Sequence, residues 1–297
     1  MSVSQIQYPL PTLRKLLPNP RIKPWSFYDT GGEVIYYDDF SDGILRGAQN
    51  DDNAWDSTGA FYGGLTGITT VANYNGRCLH IRSPRNNGPF QDYNVGLTLS
   101  DDPVGSGIMP FIGMECKIGV GGSASSDLCG LSIERWDGVF TNDPRSRYEC
   151  RVEYWNSTKA WRQVWDSTGS GGGVTGSTNG ATTTTLFSYT MPSNTGIDSI
   201  PQPQEVNWTP VKLICDTRKL SYSGSLLVAA GGNPLGSLRV GDQYAQLNNP
   251  PTAYPSTFSG VNISDKFFKL ELHVGTTAAV WADFYFADWI ITRESGI

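Results

Sequence analysis

The sequence predicts an all-β chain: a two-sheet antiparallel β-sandwich of jelly-roll type over residues 33–297, preceded by an extended, proline-rich basic arm over residues 1–32. Three observations carry this. The composition, with 34 Gly, 18 Pro, 12% aromatic and only 17% charged residues, is turn-rich and aromatic-rich and poor in the residues that cover helix surfaces. Short runs of alternating polarity recur between turn clusters from Val34 onward. Before them, prolines crowd the first residues of the chain. A length of 297 residues fits one large sandwich as well as two average domains.

In the arm, Pro9, Pro11, Pro18, Pro20 and Pro24 alternate with Leu10, Leu13, Leu16, Leu17 and Ile22. Proline at that density excludes a long helix and favours an extended course. The leucines predict that the arm packs on something, either its own domain or a partner. Arg14, Lys15, Arg21 and Lys23 make it basic, and without them 18 basic residues face 28 acidic ones, so the body carries −10 against −6 for the whole chain. A basic arm can dock on an acidic body, whereas that body repels nucleic-acid phosphates. Nucleic acid is therefore not an expected partner.

Strand-like runs follow in order: 34–40, 77–83, 93–99, 111–120, 130–136, 147–155, 161–166, 210–216, 220–229, 266–274 and 281–292. In 266–274, Phe268, Leu270, Leu272 and Val274 share one face, and Lys269, Glu271 and His273 the other. In 147–155, Tyr148, Cys150, Val152 and Tyr154 point inward and Glu149, Arg151 and Glu153 outward. One face is read as core and the other as wet. Residues 281–292 are apolar on both faces apart from Asp283 and Asp288, as a covered central strand requires. The Gly, Ser and Thr-rich stretch 168–185 is expected to be a long exposed loop. A small echo, Trp55-Asp56-Ser57-Thr58-Gly59 and Trp165-Asp166-Ser167-Thr168-Gly169, reads as repeated turn chemistry.

Five widely spaced cysteines, Cys78, Cys116, Cys129, Cys150 and Cys215, form no CxxC pair, and most lie in apolar runs, as buried free thiols do. The N-terminus lacks a continuous apolar region, and no run approaches the roughly 20 apolar residues of a membrane span. A soluble protein made in the cytoplasm without a signal peptide is expected, and sequons at Asn156, Asn207 and Asn262 are read as chance.

The segment Tyr37-Asp38-Asp39-Phe40-Ser41-Asp42-Gly43, then Trp55 and the strand Gly76-Arg77-Cys78-Leu79-His80-Ile81, resembles the start of a concanavalin A-like or laminin-G-like jelly roll. The resemblance implies that the early strand pairs with the last one, here Phe284 to Ile290, and covers about residues 34–293. The superfamily includes lectins, glycoside hydrolases, polysaccharide lyases and noncatalytic virion or cell-surface modules. Its retaining hydrolases carry a Glu-x-Asp-x-x-Glu or Glu-x-Asp-x-Glu strand whose alternation brings two carboxyls to about 5 Å. No such strand is read here: the nearest pairs, Glu149 with Glu153 and Asp283 with Asp288, are taken to have the wrong spacing or parity.

No G-x-S-x-G elbow, phosphate loop or H-E-x-x-H occurs. His80 and His273 are the only histidines for proton transfer, and His273 has the parity of the wet face. Asp38, Asp39 and Asp42, or Asp51, Asp52 and Asn53, offer oxygens to calcium or simply form turns, and no other cofactor is implied. Trp155, Trp161 and Trp165 crowd one hairpin, where they fill the core or, if exposed together, stack on sugar rings or anchor an interface.

The expectation drawn from these absences is a non-enzymatic structural protein, a virion surface, head-decoration or fibre-type subunit, homo-oligomeric and held by its arm. Such proteins stand outside the cell without a signal peptide. A lectin-like module recognising a surface glycan is the alternative, and a polysaccharide-degrading enzyme the third reading.

Overall fold

The computed structural model describes residues 32–40, 55–58, 65–70, 77–82, 91–100, 111–121, 127–137, 147–165, 182–194, 206–216, 234–248, 266–276 and 283–296. The arm, Asp42, the second acidic cluster and the expected strand 220–229 lie outside them. Sixteen strands among the described residues form two sheets, giving the expected all-β sandwich. No helix among the described residues is long and apolar enough to cross a membrane.

The nine-stranded sheet runs β14 (Gln243–Leu247), β13 (Gly236–Val240), β12 (Trp208–Asp216), β6 (Phe111–Gly121), β16 (Asp283–Glu294), β4 (Arg77–Arg82) and β3 (Leu65–Thr70). β1 (Glu33–Asp38) pairs antiparallel with β16, and β11 (Ser193–Asn194) pairs parallel with the end of β6. The first described strand thus lies against the last, Tyr37 opposite Ile290 and Asp38 opposite Trp289, as the resemblance implied. The seven-stranded sheet runs β10 (Thr182–Ser188), β9 (Ala160–Trp165), β8 (Arg147–Trp155), β7 (Asp127–Asp137), β15 (Lys266–Thr276), β5 (Gln91–Ser100) and β2 (Trp55–Thr58). Strand β10 corrects the expected loop at its C-terminal end: Thr182 to Thr185 pair with Trp165 to Arg162. β-branched threonines suit an edge strand even where nothing apolar marks it.

Ile112, Met114, Cys116, Ile118 and Val120 of β6 meet Leu131, Ile133, Val152, Leu270 and Leu272 of the facing sheet in one apolar core. Each such side chain contributes about 1.5–3 kcal/mol by leaving water. All five cysteines are free and buried.

β16 shows how the pattern is kept and broken. Phe284 and Phe286 face the core, then Trp289 and Ile291 do, so the core parity switches from even to odd numbers. The pairing with β6 shifts register between Ala287 and Ile290, and Asp288 there has a left-handed backbone, φ 51°. One inserted residue moves every later side chain to the opposite face. The bulge carboxylate is held by Lys117, 2.9 Å from Nζ, and accepts a hydrogen bond from the Tyr37 hydroxyl at 3.3 Å.

Candidate functional site

Strand alternation sends Leu131, Ile133, Cys150, Val152, Leu270, Leu272 and Val274 to the core, so their neighbours point to the outer face of the seven-stranded sheet. The register across β15, β7 and β8 sets those neighbours in two rows: Glu271, Ser132, Arg151, and beside it His273, Gly130, Glu153. The expected wet face is corrected here. Arg151, Glu153, Ser132 and His273 have no exposed surface and Glu271 has 2%. Period-2 alternation reports which face a residue takes and nothing about what lies over that face.

The groups answer one another. The Arg151 Nη2 lies 2.5 Å from Oε1 of Glu153, whose Oε2 accepts the Trp155 indole N–H at 2.9 Å. The Arg162 guanidinium sits over the Trp155 ring, 4.8 Å from its centre. In β15, His273 Nε2 is 2.7 Å from Ser132 Oγ and 3.8 Å from Glu271 Oε2. Both contacts fall on the same ring nitrogen, so Glu271 does not take the place of the acid in a serine–histidine–acid relay, which holds the other nitrogen. His273 is able to exchange a proton with a hydroxyl beside a carboxylate. Gly130 makes room between the two halves: a Cβ there would lie 2.7 Å from the Val152 carbonyl oxygen and 3.2 Å from Glu153 Cγ.

β8 also corrects the reading of its acids. Glu149 and Glu153 are four residues apart in one continuous strand, which is the spacing and parity of Glu-x-Asp-x-Glu. The departure lies at the middle position, where Arg151 stands in place of the aspartate. A signal for this site was therefore present in the sequence as Glu149-Cys150-Arg151-Val152-Glu153, next to a second charged alternation in β15.

The other candidates do not converge here. Trp161 is wholly buried in the core against Tyr154, ring centres 5.7 Å apart, whereas Trp155 is half-buried on the outer face. The β8–β9 hairpin explains the split, because Trp161 pairs with Tyr154 and Trp155 with Ala160. Trp165 ends β9 opposite Thr182. Asp38 is buried and forms a turn: Oδ1 accepts the Phe40 N–H at 2.7 Å and Oδ2 the Tyr36 hydroxyl at 3.2 Å, which secures Phe40 in a left-handed backbone. Asp39 is half-buried beside it. Among the described residues no three His, Cys, Asp or Glu side chains are grouped to hold a metal ion.

His80 lies on the other sheet. Its Nε2 is 2.7 Å from Asp283 Oδ1, a carboxylate that Arg82 also holds through Nε at 2.6 Å and Nη2 at 3.1 Å. The imidazole stacks on Tyr285 at 4.7 Å. Burial alone would raise the Asp283 carboxyl, but the hydrogen bonds from His80 and Arg82 outweigh it and hold it below its ordinary value. Burial, helped by the Asp283 charge, pushes the Tyr285 hydroxyl up to about 12. This cluster ties β4 to β16.

No family model and no curated protein matches the chain. Among solved structures it is similar to a glycoside hydrolase family 16 protein of the Bacteroides ovatus mixed-linkage glucan locus, in complex with a G4G4G3G product (10% identity, 87% of this chain and 100% of that one, TM-score 0.46). It is also similar to an endo-β-galactosidase of Clostridium perfringens that releases GlcNAcα1-4Gal (8%, 90% and 63%, TM-score 0.44). A third is the alginate lyase vAL-1 from Chlorella virus (9%, 80% and 93%, TM-score 0.42). Identities near a tenth with TM-scores below 0.5 carry no activity over to this chain. The expectation of a non-enzymatic virion or decoration subunit, and with it the exclusion of enzymatic activity, is corrected by these findings: glycoside hydrolases and polysaccharide lyases are among the similar structures.

Proposed function

We propose that this chain is a carbohydrate-active protein that takes a glycan chain on the outer face of its seven-stranded sheet. One observation carries the reading: Arg151, Glu153, Glu271, His273 and Ser132 are buried together on the face turned away from the core. Taking charges out of water costs several kcal/mol per ion, and their mutual attraction repays it only in part. A binding site gathers convergent donors and acceptors in a dry place. Trp155, half-buried at the edge of the row, is the aromatic surface a sugar ring meets, Arg151, Ser132, Glu153 and Glu271 are the donors and acceptors of the row behind it, and His273 is the group that moves a proton.

The test is a panel of neutral and acidic polysaccharides, scored for binding and for new reducing or unsaturated chain ends. At least one polymer should be bound and cut by the native protein. His273→Ala should abolish cutting and retain binding. A protein that binds none of them, or a His273→Ala variant that cuts at the native rate, contradicts the proposal.

A further inference from the structure

The outer face of the nine-stranded sheet holds a second buried cluster, distinct in chemistry. Lys212 of β12 is 1% exposed, and Glu115 of β6 and Glu294 of β16 have no exposed surface. Lys212 and Glu115 are direct cross-strand partners, with Nζ 3.5 Å from Glu115 Oε2. Yet the lysine's shorter contact, 2.7 Å, is to Oε1 of Glu294, a strand further away. The path runs over Gly113, which pairs with Ile214 on one side and Thr292 on the other. A Cβ on Gly113 would lie 2.3 Å from Thr292 Oγ1, 2.9 Å from Glu294 Oε1 and 3.2 Å from Lys212 Cε. The absent side chain is thus the channel through which the lysine crosses β6. Gly32 closes the cluster from the opposite side, since a Cβ there would lie 2.5 Å from the Glu294 carboxyl atoms. The Thr292 hydroxyl donates to Glu294 Oε1 at 2.5 Å.

We infer that Lys212 and Glu294 are the two halves of an intramolecular amide cross-link, formed with Glu115 as proton carrier. The reaction balances within the cluster. A proton passes from the Lys212 ammonium to the Glu294 carboxylate, which yields a free amine and a neutral acid. The Nζ attacks Glu294 Cδ, and the oxygen that gains charge is Oε1, where the Thr292 hydroxyl already donates. Glu115 accepts the surplus proton from the nitrogen and returns it to the departing hydroxyl, so the Cδ–O bond breaks and one water leaves. No oxidant, reductant or cofactor enters. Three features favour the step: reacting groups held in contact, exclusion of the water that would favour hydrolysis, and replacement of a buried ion pair by a neutral amide. The product staples β12 to β16 across the central strand.

Intact mass spectrometry of the full chain under denaturing conditions tests this. The native protein should be lighter than its sequence mass by one water molecule, and tandem fragmentation should return a branched peptide joining residues 212 and 294. Glu115→Gln, which keeps the shape of the side chain and removes its proton chemistry, should return the uncondensed mass. A native chain at full sequence mass with separate linear peptides for 212 and 294 overturns the inference. A Glu115→Gln chain that still lacks the water overturns the role of Glu115.

Discussion

On the outer face of the seven-stranded sheet the charged partners lie close along their own strands, Arg151 and Glu153 two apart on β8, Glu271 and His273 two apart on β15. On the nine-stranded sheet Lys212 instead crosses a whole strand through the space left by Gly113 to reach Glu294, and Gly32 presses on that carboxyl from the other side. Both groups of charges are buried, but the second is sealed by the absence of side chains that would not fit. The first mixes guanidinium, carboxylate, imidazole and hydroxyl with an aromatic rim. A closed cluster of fixed partners belongs to the framework. A row with varied donors and acceptors is what a ligand uses.

The comparison breaks most sharply at the lysine. Lys212→Met removes the cross-link and leaves the Glu115 and Glu294 carboxyls buried without the lysine, and stability in urea should fall by about 3–5 kcal/mol. A variant as stable as the native protein would mean that water enters this face. Arg151→Met should cost somewhat less, about 3 kcal/mol, because Glu153 keeps its hydrogen bond from Trp155. Adding Glu153→Leu to it should recover most of that loss while destroying glycan binding, since the paired charges serve the ligand more than the fold. Recovery of stability and of binding together would place the site elsewhere.

A smaller effect concerns pH. Asp283 is held below its ordinary value in the folded protein, so its contribution to stability is complete at neutral pH and is lost as pH falls from about 4 through its folded pKa. Asp283→Asn should therefore flatten the acid limb of the stability profile, read from urea midpoints across that range. An unchanged acid limb would show that the carboxylate gains nothing from His80 and Arg82.

Much of the framework was legible because strand alternation writes itself in the sequence: Leu270, Leu272 and Val274, or Cys150, Val152 and Tyr154, identify a core face wherever the strand is placed. The pairing of the first strand with the last was legible from Asp38 to Gly43. The site was less so. Arg151, Glu153, Glu271 and His273 read as solvated because polarity alone marks a residue as turned from the core, and cover over that face leaves no period in the strand itself. The switch of parity at Asp288 was hidden for a related reason, since an inserted bulge residue looks like any other position until its partner strand is known. Trp155 and Trp161 looked like neighbours in sequence, yet the hairpin sends them to opposite faces. Lys212, Gly113 and Glu294 come from three strands far apart in the chain, and only their register brings them together.

The measurement that bears most directly on the central claim is a binding titration by calorimetry, using the polysaccharide that the native protein retains best, on three proteins: native, Glu153→Gln and His80→Ala. The two substitutions probe the two outer faces, with Glu153 in the buried row and His80 in the tie between β4 and β16. Binding should weaken about tenfold or more in Glu153→Gln, the loss expected when a charged hydrogen-bond partner worth at least about 1.5 kcal/mol is removed, and should stay at the native level in His80→Ala. Native affinity in Glu153→Gln with binding lost in His80→Ala would contradict the account and move the site to the opposite sheet.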